Sequence, residues 1–379
     1  MRLDPVRFFR LLGLVYMLGF STNLSLAKIT PPPPNIQSGV VRISEDKWTK
    51  DTNVEVIGNV KLTADREVKG LLIDEKSSSA VNLNGKLMTV GAEGITFRYG
   101  EKQPYVRGGR ITSSGANLVL KGKAFGSSQI DQFGNTVFIN AHLNSAIQDH
   151  KNHRIGLVMT GSHPIGEMGL ITLSGNQANT FTGDVIVEGS NTLFLGKADG
   201  VTSIQGNAYV KNGGRLALST SDQISDTATV TLSGNKSMFS FTGNAVDNVE
   251  KIHSLVVDRG STVFNFVHPV RRPDDASRTL FLDDLIIKDG ASLQMQGWKA
   301  GRDHLLVRKD SKHLEDALKK LSIDGWAKNQ IYLKDYDKDY WSIEAAPEPS
   351  TYGAILGAVG LGIVALRKRR GGRGVSVVG

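Results

Sequence analysis

The stretch LSGNQANTFTGDVIVEGSNTLFLGKADG, residues 173–200, decides the fold. An apolar, β-branched run (Val185, Ile186, Val187) leads into Gly189 and Ser190, and a second apolar run (Leu193, Phe194, Leu195) leads out of that corner. β-Branched side chains suit a pleated surface, and glycine supplies the positive φ that a tight corner needs. The same order returns in AYVKNGGRLALS (208–219), SLVVDRGSTVFNF (254–266) and DLIIKDGASLQMQ (284–296). Aligned on Gly189, Gly213, Gly260 and Gly290, the copies are 24, 47 and 30 residues apart, so the middle interval spans about two of the first. Gly94 and Gly115, in GKLMTVGAEGITFRYG (85–100) and GRITSSGANLVLKG (109–122), fit the same pattern 21 residues apart.

A repeat of this length, made of strands, cannot bury its apolar side alone; stacking neighbours supply the cover, which is a solenoid. In VTLSG (230–234) and RLALS (215–219) the apolar positions recur every second residue, so one side faces inward and the other water. The expected fold is all-β: a right-handed parallel β-helix over residues 51–298. An antiparallel sandwich also uses short strands with regular turns, but hairpin connections recur every 8 to 12 residues, a shorter interval than these.

ISDTATVTLSGN, LSGNQANTFTGDVIVEGSNTLFLGKADG and GNAYVKNGGRLALS resemble the autotransporter-associated β-strand repeat, over about residues 80–296 and most closely from Leu170 to Gly234. The resemblance implies a secreted, β-helical passenger-like protein of a Gram-negative bacterium. No run of amphipathic strands follows Gln296, so export through a barrel of the chain's own is not expected.

From Lys299 to Glu344 the texture changes to charge-rich sequence. Leu314, Ala317, Leu318 and Leu321 fall on one face of a helix expected after Asp310-Ser311, and IYLKDYDKDYWSIE (331–344) reads as edge strands. A solenoid needs its last coil covered against end-to-end pairing, so 299–344 is expected to be a small α+β cap.

The net charge of +8 sits at the ends: residues 1–10 carry +2, residues 367–379 carry +5, and the body between them only +1. A near-neutral body makes no case for a phosphate backbone, so nucleic acid is not an expected partner. Three arginines followed by the uncharged run Leu11–Ala27 form a secretory signal peptide, residues 1–27, with cleavage expected between Ala27 and Lys28. Residues 28–50 are expected to hold a stiff extended spacer, with the tetraproline Pro31–Pro34, and the start of the fold. Cysteine is absent despite expected export, so the fold must hold without disulfides.

At the other end, residues 345–379 hold Pro347-Glu348-Pro349, then an uncharged segment 350–366, then Arg367-Lys368-Arg369-Arg370. A 17-residue helix rises about 25 Å, enough to span a bilayer with snorkelling arginines, and the cations stay cytoplasmic. The expectation is a C-terminal transmembrane helix. The order of tripeptide, span and basic cluster is similar to the PEP-CTERM sorting signal. That resemblance implies recognition of Pro347-Glu348-Pro349 by an exosortase-type enzyme. It also implies transient inner-membrane anchoring and delivery to the envelope, surface or extracellular matrix, often beside exopolysaccharide.

The sequence assigns no catalytic, cofactor or metal residue. Asp274-Asp275 and Asp283-Asp284 are neighbours, and neighbours on a strand point to opposite faces, so neither pair makes an acid–base couple. His150 and His153 can approach one metal ion but lack further ligands nearby. No G-x-S-x-G or P-loop spacing occurs, and without cysteine a thiol mechanism is impossible. Tyr99, Tyr105 and Trp298 are candidates to stack on sugars, although such residues more often cover the edges of a core. The expected role is a non-catalytic structural or adhesive element. A solenoid enzyme acting on polysaccharide (lyase or glycoside hydrolase) or a carbohydrate-binding protein is the alternative; an enzyme requires acidic or basic side chains converging from successive coils.

Overall fold

The computed structural model describes residues 40–41, 44–74, 79–98, 103–123, 128–130, 136–138, 141–161, 169–242, 247–268 and 276–346, all within the compact unit Gly39–Gly379. The signal peptide with Ala27 and Lys28, Tyr99, Asp274-Asp275, Pro347-Glu348-Pro349, the span 350–366 and Arg367, Lys368, Arg369 and Arg370 lie outside these residues. Among the described residues no helix is long and apolar enough to cross a membrane.

The chain is an all-β parallel solenoid. Its first ladder joins Asn53–Val56 to the second halves of Arg66–Ile73 and Leu87–Arg98, and then to Asn117–Lys123. It continues through Gly156–Met159, Val185–Glu188, Ala208–Lys211 and Thr229–Ser233 into the centre of Asp247–Phe266 and the end of Ser277–Ile287. All of these pairings are parallel. Alternation then fixes the interior, because in-register strands stack like side chains on like. One buried column runs Val54, Leu71, Ile95, Leu120, Met159, Val187, Val210, Leu232, Val257, Ile287, each in register with the next.

The second ladder runs from Asn59–Lys61 through Ala80–Asn82, Tyr105–Ser113, Ala141–Ile147, Gly169–Gly175, Asn191–Lys197, Arg215–Leu218 and Met238–Phe241, and ends on Ala291–Gln296 and Leu321–Ile323. Its interior column passes from Ile171, Leu193 and Leu216 to Phe239, Phe264 and Met295. Phe264 lies 5.5 Å from Phe239, 5.9 Å from Phe241 and 4.7 Å from Phe266, a fully buried ring cluster.

Among the described residues the third side has paired strands at its two ends, where residues 66–68, 88–90, 110–113 and 146–147 stack, and where residues 247–252, 277–282 and 303–307 stack, with a single parallel bridge, Ile204 to Ile224, between them. Between them, buried amide side chains take over the rung bonds. Asn179 accepts from Ile147 N at 2.9 Å and donates to Ser203 O at 2.8 Å. Gln223 Oε1 accepts from Lys197 N and from Ser203 Oγ, and Glu250 accepts from the backbone of Gln223 and Ile224. These contacts satisfy backbone donors that a strand would otherwise pair.

Corners align as the glycine spacing requires. Glu188, Lys211, Ser233 and Arg259 occupy one register position, so Gly189, Asn212, Gly234 and Gly260 follow at one corner, all with positive φ. The double interval between Gly213 and Gly260 is thereby explained: the intervening coil turns at Gly234. Coil length varies from 17 residues (Val54 to Leu71) to 39 (Leu120 to Met159). The longest coil carries a small antiparallel hairpin, Ser128–Ile130 with Thr136–Phe138.

At the C-terminal end the chain stops being parallel. A helix, Leu314–Lys320, packs Leu314 and Ala317 into the core, and Lys320 Nζ donates to Ile287 O at 2.9 Å, occupying a carbonyl of the last rung. Leu321 lies not on that helix but in the strand Leu321–Ile323, which still pairs parallel with Ala291–Gln296. The strand Tyr340–Ala345 then closes Asp303–Arg308 in antiparallel sense and forms a hairpin with Ile331–Asp335. An antiparallel partner and a lysine on a free carbonyl both blunt an edge that would otherwise add further strands.

Candidate functional site

The described surface with chemistry to offer lies where the third side meets the closing hairpin. On Ser277–Ile287, Leu280 and Leu282 point inward and are fully buried, so Phe281 points out. On the hairpin, Asp337 Oδ1 accepts from Asp339 N and Tyr340 N, each at 2.8 Å, an Asx-type turn that sets where Tyr336 and Tyr340 emerge. Phe281 meets Tyr340 at 5.1 Å and Tyr336 at 6.2 Å, both nearly perpendicular, and His304 packs on Tyr336 at 5.3 Å. Edge-on contacts fix the rings while leaving faces open. Tyr336 is 45% exposed and Tyr332, on the adjoining strand, 43%. Around them Lys251 pairs with Asp226 at 3.2 Å, Arg308 with Asp310 through two bonds, and His253 with Asp283 at 3.1 Å. The result is a rigid aromatic platform with a polar, charge-balanced rim.

Beside it lies an arrangement with the residue types of a hydrolase triad: Ser342, His304 and Glu344. Antiparallel pairing places Glu344 near His304, and Ser342 shares a strand face with Glu344. The geometry is wrong for nucleophilic catalysis. Ser342 Oγ donates to Glu344 Oε1 at 2.7 Å, and both groups approach the same imidazole nitrogen, Nδ1, at 3.5 and 3.6 Å. A triad needs the acid on one ring nitrogen and the hydroxyl on the other. Burial pushes the Glu344 carboxyl up, but hydrogen bonds from His304 and Ser342 together outweigh it and hold the group below its ordinary range. Ser342 is also only 1% exposed.

The other candidates divide similarly. Asp283 and Asp284 do separate: the first meets His253, the second meets His313 Nδ1 at 2.6 Å and Ser311 Oγ at 2.5 Å. His150 and His153 come together with ring centroids 4.5 Å apart, but across a tight turn where His153 Nε2 contacts Gly115 O at 2.9 Å. Among the described residues no group of three or more His, Asp or Glu is placed to hold a metal ion. Trp298 is not a solvent-facing ring: it is 9% exposed, donates Nε1 to Asp303 O at 2.9 Å and meets Trp326 edge-on. Tyr105 is half-buried, stacked on His142 at 5.0 Å, with its hydroxyl on Gln103.

Ionisable groups also enter the interior. Arg278 stacks in register with Asp303, both fully buried, and Asp303 Oδ2 meets His268 Nε2 at 2.8 Å and Lys299 N at 2.7 Å. Burial pushes the Asp303 carboxyl up, against the pull of His268. Glu250 is pushed by burial up to about 8, and Lys197, whose Nζ donates to Ser174 O at 3.2 Å, is pushed by burial down to about 8. Asp303, Glu250 and Lys197 each bond a neighbouring coil, a structural task. Phe281 and His304 lie far along the chain from Tyr336 and Tyr340, so sequence alone does not join them; the signal within reach was the Tyr-rich DYDKDYW (335–341) in a segment read only as edge strands. No protein-family model, curated protein or solved structure matches this chain, so its reading rests on its own residues.

Proposed function

We propose that the chain is an exported, envelope-sorted β-solenoid that acts through its surface as a non-catalytic structural or adhesive element in the matrix or cell-surface contacts of a Gram-negative bacterium. In this reading the coils wind right-handed, as parallel crossovers do. The signal peptide is removed at Ala27–Lys28, and segment 350–366 anchors the chain in the inner membrane with Arg367–Arg370 on the cytoplasmic side. An exosortase-type enzyme then acts at Pro347-Glu348-Pro349.

The observation that carries the adhesive role is Tyr336: a ring nearly half exposed yet braced by Phe281 and His304. An immobilised aromatic face pays little ordering entropy on contact and suits the C–H faces of sugar rings, so exopolysaccharide is the partner class that it fits. The rival reading, an enzyme, needs free acid and base groups. The candidates at Ser342, His304, Glu344, Asp283 and Asp284 are instead bonded to one another or to structural partners.

Two tests address the two halves of the proposal. Purified full-length chain retained by a surface polysaccharide, without degrading it, and a Tyr336→Ala variant binding at least about tenfold more weakly, is the expected outcome. Degradation of the polysaccharide or unchanged retention of the variant refutes it. For sorting, a Pro347→Ala/Pro349→Ala double variant is expected to keep its tail and fractionate with the inner membrane; release equal to wild type refutes exosortase recognition.

A further inference from the structure

The hairpin that closes the third side carries an open edge of its own. Ile331–Asp335 pairs with Tyr340–Ala345 on one side, and among the described residues no strand pairs with the other. Tyr336 N donates to Tyr340 O at 3.2 Å and Ala346 N to Gln330 O at 3.1 Å, so the even-numbered residues of this register bond within the hairpin. Backbone groups alternate in direction along a strand, so Ile331, Leu333 and Asp335 turn theirs to the open side. Ile331 N–H is already held by Lys328 O, which leaves the carbonyl at Ile331 and both groups at Leu333 and Asp335. Side chains alternate too: Tyr332 and Lys334 face solvent, whereas Ile331 and Leu333 pack half-buried against the rim of the core.

A strand of the same sequence, run antiparallel about a two-fold axis at Leu333, meets every one of these roles. Leu333 N–H then donates to Leu333 O of the second copy, and Asp335 N–H to the Ile331 carbonyl that its own chain leaves open; the axis repeats each bond. On the solvent side Tyr332 stands opposite Lys334 of the second copy, a cation beside a ring, again on both sides of the axis. On the core side Leu333 meets its own copy and covers apolar surface that the single chain leaves half open. Lysine on an edge discourages pairing, and here it selects the register. With the axis moved to Lys334, lysine faces lysine; moved to Tyr332, Asp335 N–H runs beyond the partner strand. Arg308 pairs with Tyr340 and Tyr340–Ala345 with Ile331–Asp335, so this edge is the last strand of the third side and the approach is end to end.

We propose that two copies of the chain join cap to cap through this strand, as an antiparallel pair centred on Leu333. Strand addition of this kind draws its affinity from main-chain bonds and its register from the side chains beside them. A strand of 5 residues makes a small contact, which places the pair at the weak, concentration-dependent end of specific interfaces. The inference is independent of the sorting and glycan readings, and Tyr336 takes no part in it.

The test joins sedimentation of the full-length chain in density-matched detergent with disulfide trapping, which the absence of native cysteine makes clean. Wild type is expected to dimerise with rising concentration. Leu333→Pro removes the outward N–H and leaves the bonds within the hairpin intact, so it is expected to weaken the dimer at least about tenfold while keeping the wild-type circular dichroism. Directly opposed residues of an antiparallel pair have Cα atoms about 4.5–5.5 Å apart, within disulfide reach. Leu333→Cys is therefore expected to cross-link to itself under mild oxidation. Tyr332→Cys and Lys334→Cys, each more exposed, are expected to cross-link when mixed and not when alone. That pattern also reads the register in chains whose strand is unbroken, whatever Leu333→Pro does to folding. A monomeric wild type, a dimer that persists unchanged in Leu333→Pro, as association through the tail would, or trapping of Tyr332→Cys or Lys334→Cys alone as fast as in their mixture, each overturns the proposal.

Discussion

Three glycine-to-alanine substitutions separate what a corner of this solenoid requires. Gly290 has φ +74 with open space around the position that a Cβ would take, so Gly290→Ala meets only the left-handed backbone penalty, about 1–2 kcal/mol. Gly91 has no such backbone, but its added Cβ falls 2.7 Å from Lys69 O on the preceding rung, an overpacking cost of about 1–3 kcal/mol. Gly94 combines both: φ is +72, and the Cβ falls within contact distance of Val119 O, 2.7 Å from Val119 Cβ and 2.8 Å from Val119 C on the next rung. Neither backbone nor a β-branched side chain can swing aside, so the rungs must part and strain the parallel bonds between Ile95 and Leu120. Gly94→Ala is expected to cost at least about 4 kcal/mol, roughly the sum of the two components or more. Urea unfolding followed by circular dichroism on all three variants measures this order. If Gly94→Ala is no more destabilising than Gly290→Ala, the successive rungs do not approach as described.

Other consequences follow from the interior. Phe264→Ala, which empties the centre of the four-ring cluster, should cost about 3–5 kcal/mol in the same assay, with Phe239 and Phe241 losing ring contacts. Glu250, raised from 4.5 to about 8 by burial, contributes stability that is present below pH 4.5 and lost as pH rises towards 8. Glu250→Gln should flatten unfolding midpoints measured across that window. It should also lower stability by about 1 kcal/mol at the acid end, where one of the two backbone donors loses its acceptor.

The ladders were legible because two local signals agree: alternation told which residues face inward, and corner glycines told where each coil turns. Even the coil hidden between Gly213 and Gly260 was countable from spacing. Register was not legible, since it depends on how insertions such as 121–155 are accommodated, and register alone brings Ile186, Tyr209 and Ile286 into one column. Buried polar residues also escaped. Asn179 and Gln223 lie between the apolar runs, and the lapse of strand pairing on the third side is what turns their amides into rung bonds. Of the two roles open to Trp298, the tertiary contacts with Asp303 and Trp326 select core-edge cover, and those contacts lie outside what its sequence neighbours can show.

The stacking of coils is open to one direct measurement. Because the chain has no native cysteine, spin labels can be placed by single Cys substitutions at Val119 paired in turn with Tyr209, Thr231, Val256 and Ile286. With labelled chains diluted in unlabelled ones, electron–electron double resonance should return distances that lengthen by about 4.8 Å per rung, from about 14 Å to about 29 Å, however many residues intervene. Distances that fail to rise in rung order, or that shorten between any two successive pairs, contradict the solenoid.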